Sequence, residues 1–68
     1  MNERIIWKPR IVAGLLVEFG YNVRGEMVCK AVQNEEGFTL FKYTGKSYPI
    51  RRGTYNTMSE AKNSYYTS

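Results

Sequence analysis

The sequence has no histidine, no aspartate, a single cysteine and only two prolines. Each shortage removes a class of chemistry. Without histidine the commonest general base and metal ligand is missing. Without aspartate most calcium and magnesium patterns are missing too. One cysteine without histidine cannot make a zinc site, and it cannot form a disulfide within the chain, so a reducing compartment is expected. Neither a P-loop nor a glycine-rich dinucleotide fingerprint occurs. The apolar run at 11–17 is broken by Glu18, far short of the roughly 20 residues that span a bilayer. No small-residue cleavage site follows it, so it does not read as a secretory signal. These absences lead to the expectation of a cytoplasmic, non-enzymatic chain with no cofactor, no metal and no membrane partner.

The 68 residues suffice for one domain, read here as 1–68, with 1–10 a flexible or edge segment. A chain of this length buries only about 60% of its unfolded surface, so each core contact matters. Apolar residues at 43% and charged residues at 24% are globular values. One Trp, six Tyr and three Phe are many for this size, and large rings are how a small core gains area. The net charge of +4 is unevenly spread. Residues 37–55 hold Lys42, Lys46, Arg51 and Arg52 with no acid, whereas 11–36 are acidic on balance. Such asymmetry is an electrostatic footprint.

From Leu15 the pattern has period 2. Leu15, Val17, Phe19, Tyr21 and Val23 fall on one side, and Glu18, Gly20, Asn22 and Arg24 on the other. That spacing predicts a strand with one buried face. A helix from Pro9 would also align Ile11, Leu15 and Phe19, but Gly14, Gly20 and the β-branched content weigh against it. A turn at Arg24-Gly25 leads to a second strand over 26–33. Asn34-Glu35-Glu36-Gly37 is a stronger reversal, since Asn and Gly tolerate left-handed backbone. A third strand is expected over 38–43, a turn over 44–47, and a short edge strand over 48–51 limited by Pro49. Strands in sequence imply an antiparallel meander.

Thr57-Met58-Ser59-Glu60 has the form of a capping box, with Met58, Ala61 and Tyr65 on one face of the helix that follows. So short a helix is not stable alone, and it is expected to lie across the sheet near Val17, Phe19 and Leu40. The expected fold is therefore α+β: a small antiparallel meander of three to four strands with one C-terminal helix on one face.

Candidate chemistry is confined to binding. Cys29 reads as a buried thiol, with Lys30 pointing to the opposite face. The nucleic-acid-binding candidates are Arg24, Lys30, Lys42, Lys46, Arg51 and Arg52, on an uncovered sheet face and on the turns beside the last strand. There they would meet DNA phosphate or bases. The alternative is a protein-binding modulator or inhibitor of a host enzyme. It would present Trp7, Tyr43, Tyr48 and the same arginines to an acidic partner, since Arg, Trp and Tyr are enriched at interface hot spots. A third reading is dimerisation through an edge strand.

The run Arg51-Arg52-Gly53-Thr54-Tyr55-Asn56-Thr57, followed by Glu60-Ala61, resembles the strand-to-helix junction of the N-terminal DNA-binding domains of phage-type tyrosine-recombinase integrases, which reads much like G-F-x-T-x-x-E-A. Tyr55 would take the aromatic position, Thr57 the cap and Glu60-Ala61 the first helical turn. The resemblance covers about a third of the chain. It implies a three-stranded sheet that enters the DNA major groove with a helix packed behind it, in a phage or mobile-element protein. These 68 residues are read without a recombinase domain, and the first two expected strands carry more acid than the family's DNA face.

Overall fold

The computed structural model describes residues 4–43, 45 and 49–67. Five strands precede one helix: β1 Ile6–Val12, β2 Leu15–Tyr21, β3 Met27–Asn34, β4 Gly37–Lys42, β5 Ile50–Tyr55 and α1 Met58–Thr67. The strands form a single antiparallel sheet in chain order, β1-β2-β3-β4-β5. The α+β meander with its C-terminal helix matches expectation. The strand number does not: there are five strands, where three to four were expected.

The extra strand is β1, in the segment read as a flexible or edge region. It is an edge strand along its whole length, paired with β2 from Ile6↔Tyr21 to Val12↔Leu15. Ala13 and Gly14 close this hairpin with φ of 53° and 81°. Positive φ at both central residues matches the right-handed twist of the strands they join. The alternation of β2 ends at Tyr21, because Asn22 starts a turn. Its Oδ1 accepts from the amides of Arg24 and Glu26, each at 3.0 Å, leaving Val23 exposed. The last strand begins at Ile50 and continues through Gly53 to Tyr55, so the expected 48–51 strand is displaced towards the helix. Of the expected turn at 44–47, only Gly45 lies among the described residues.

The helix start is as expected. The Glu60 amide donates to Thr57 Oγ1 at 3.1 Å, and the Thr57 hydroxyl donates to Glu60 Oε1 at 3.3 Å. Ala61, Ser64 and Tyr65 are buried on the inner side of α1, with Met58 packed beside them. The helix lies over β3, β4 and β5. Together with Ile5, Cys29, Ala31 and Leu40 it forms the core.

The face that it covers differs from expectation. Residues opposite one another in antiparallel register share a face. Ala31 pairs with Glu18 and with Leu40, and Leu40 with Gly53, which puts Glu18 on the helix side. Lys62 Nζ of α1 reaches the two Glu18 carboxylate oxygens at 3.1 and 3.2 Å. Val17 and Phe19 therefore lie on the opposite face, and only Leu40 of the three expected contacts meets the helix. The reason is the helix footprint. Since α1 rests on β3 to β5, the small side chains Cys29 and Ala31 decide where it can approach. The apolar alternation of β2 has no part in that choice.

Candidate nucleic-acid interface

The uncovered face is built row by row from the register. Lys8 pairs with Phe19, Phe19 with Lys30, Lys30 with Phe41, and Phe41 with Arg51. One row across all five strands thus reads base, aromatic, base, aromatic, base. The next row runs Arg10, Val17, Val32, Thr39, Thr54. At the other side, Ile6 and Met27 both pair with Tyr21. Two β-bulges fix this arrangement. One follows Gly20, with Val28 as the extra residue of β3. The other follows Leu40, where Arg52 is the extra residue of β5. Without that second insertion, parity would place Arg51 on the helix side.

Two rings of this face meet cations. Lys30 Nζ lies 5.5 Å from the Phe41 centroid, and Lys8 Nζ lies 5.2 Å from that of Tyr21. Phe19, Tyr21 and Phe41 are all half-buried. The row beside them is well packed. Val17 is 6% exposed and Thr39 only 1%, although no helix covers them. A polar chain pins the β3–β5 end: Asn34 Nδ2 donates to Thr39 Oγ1 at 2.7 Å, the Thr39 and Thr54 hydroxyls are 2.9 Å apart, and Arg51 Nη2 donates to Thr54 Oγ1 at 2.8 Å. Arg51 also reaches Glu36 at 3.4 Å across solvent-exposed side chains. Ile6, Val12, Leu15 and Met27 are exposed along the ends of the strands on this face.

The six candidates separate accordingly. Lys30 is at the centre of the row and Arg51 at its end. Arg24 is exposed on the turn after Tyr21, and Arg52 is exposed at the bulge. Lys42 belongs elsewhere: it pairs with Cys29 on the helix side, and its Nζ lies 5.2 Å from the Tyr65 ring centroid. Lys46 lies outside the described residues. Lys8 and Arg10 were not among the candidates, yet both are exposed on the uncovered face. The alternation Lys8, Arg10, Val12 is the signal for them, in the segment expected to be flexible or at an edge.

No family model, curated protein or solved structure matches this chain. Among the described residues no group of three or more acidic, cysteine or histidine side chains could hold a metal ion. Cys29 is buried with Lys30 on the other face, as expected. Of the aromatics offered for a protein interface, Trp7 is half-buried against the core beneath Lys62, whose Nζ lies 5.6 Å from its ring centroid. Tyr43 is half-buried, and Tyr48 lies outside the described residues. No helix among the described residues is long and apolar enough to cross a membrane.

Proposed function

We propose that this chain is a small non-enzymatic DNA-binding domain of the kind phages and mobile elements encode, holding DNA on the sheet face that α1 leaves uncovered. The observation that carries this reading is the row Lys8–Phe19–Lys30–Phe41–Arg51. Cations interleaved with rings supply both charge for phosphate and flat surface for bases. Arg10 lies in the adjacent row, with Arg24 and Arg52 at the margins. Of the acids, Glu18 is engaged with Lys62 on the other side and Glu36 with Arg51.

Fluorescence anisotropy with labelled DNA across a salt series tests the reading. Binding is expected at about 50 mM salt and should weaken linearly on a log–log scale, because phosphate contacts release counterions. Lys30→Gln and Lys42→Gln remove the same charge from opposite faces. Lys30→Gln should reduce the affinity and lower the salt slope by about 0.7–0.9, the share of one phosphate. Lys42→Gln should leave the slope near its original value. Equal effects from the two variants would reduce the interaction to net charge, and no binding at low salt would end the proposal.

A further inference from the structure

We infer that the nucleic acid this face accepts is single-stranded, its bases splayed across the row and stacked on Phe19 and Phe41. This deepens the DNA-binding reading and rests on it. Two dimensions separate a single strand from a duplex. Five strands at about 4.8 Å spacing make the sheet about 19 Å wide, whereas the major groove is about 12 Å wide and admits a helix or a two-stranded ribbon. Phe19, Lys30 and Phe41 lie on the middle three strands. They are flanked on both sides by β1 and β5, so they cannot reach base edges inside a groove. The second dimension is within the row. Phe19 and Phe41 are two strands apart, about 10 Å between backbones. Stacked bases rise about 3.4 Å per step, so neighbouring bases of a duplex cannot use both rings, whereas an unstacked strand can.

The chemistry fits the same occupant. Aromatic rings on a sheet and a positive track for the backbone are how single strands are held without regard to sequence. The ammonium of Lys30 over Phe41 shows that this ring offers its face to a polar group. A base arriving there takes the place of the ammonium, which moves to the adjoining phosphate. In the adjoining row Val17 and Thr39 are buried and the Thr39 and Thr54 hydroxyls are hydrogen-bonded, so the rings stand beside a packed, satisfied row and binding has less to order.

The test compares one labelled DNA oligonucleotide of about 12 nucleotides, within the 4–16 that single-strand sites cover, with the same oligonucleotide annealed to its complement. The expected result is at least tenfold tighter binding of the single strand at equal salt. Phe19→Leu and Phe41→Leu keep apolar volume and remove the ring. Each should weaken single-strand binding by about fivefold or more, towards the range of one stacked base, with the salt slope unchanged. Trp7, on the opposite face, reports by its emission that each variant is folded. Equal or tighter binding of the duplex overturns the inference while leaving DNA binding in place. So does full single-strand affinity in folded leucine variants. Failure of both DNA forms to bind instead removes the reading beneath it.

Discussion

At the scale of single residues, the space over Gly20 is closed by three core side chains. A Cβ at this position would lie 2.5 Å from Cys29 Sγ, 2.9 Å from Ile5 Cγ2 and 3.0 Å from Trp7 Cζ3. None of these neighbours is the loose end of a flexible chain. Gly20→Ala should therefore destabilise the fold by about 1–3 kcal/mol, the usual consequence of overpacking, read as a lower urea midpoint with little change in slope. Glu18 and Lys62 show a different residue-scale compromise. Their side chains are only 14% and 28% exposed, so each relies on the other for solvation lost on folding. The ammonium also lies over Trp7, joining an edge strand that the helix does not otherwise cover. In the sequence Glu18 looked like a solvent-facing residue, because an acid between Val17 and Phe19 suggests an outward face. Charge alone does not report which way a strand is turned when a lysine 44 residues later supplies its partner.

At the scale of elements, α1 depends on its cap and on the sheet beneath it. Thr57→Ala removes the acceptor for the Glu60 amide and should cost about 1 kcal/mol, seen as a melting temperature lower by about 4–8 °C for a domain of this size. Helix, cap and inner face were all legible in the sequence, because Thr57, Glu60, Met58, Ala61 and Tyr65 carry local signals. The middle strands were legible for the same reason, since each turn holds Gly or Asn where the backbone needs them. The strands at the two edges were not. In β1 the apolar members of the helix-side alternation include Trp7 and Pro9, and proline argues locally against a strand. Pro9 is tolerated because β1 pairs with β2 alone, so one side of it has no ladder to break. In β5 the bulge at Arg52 interrupts period 2, and no local residue pattern announces a bulge.

At the scale of the whole molecule, charge and shape are divided between two faces. On one side α1 covers β3 to β5. The other shows cations at regular intervals, with Glu36 as a carboxylate held against its last arginine. Glu36→Gln should leave stability nearly unchanged, because exposed ion pairs contribute about 0–1 kcal/mol. It should strengthen DNA binding severalfold at low salt by releasing Arg51, and a salt titration beside the parent protein measures this. The candidate site was only half legible. Lys30, Arg51 and Arg52 stood out as basic residues, but Phe19 and Phe41 become their neighbours only once the register is known. The chain-order meander has one more consequence, for how the molecule is made. Its connections are 13–14, 22–26, 35–36 and 43–49, so no strand waits for a partner from a distant part of the chain. Closing such short loops loses little chain entropy, and contacts of low sequence separation favour fast folding. Each strand follows directly on the strand it pairs with, and the helix comes in the chain after all three strands that it covers, so the order of synthesis is also an order in which the sheet can grow.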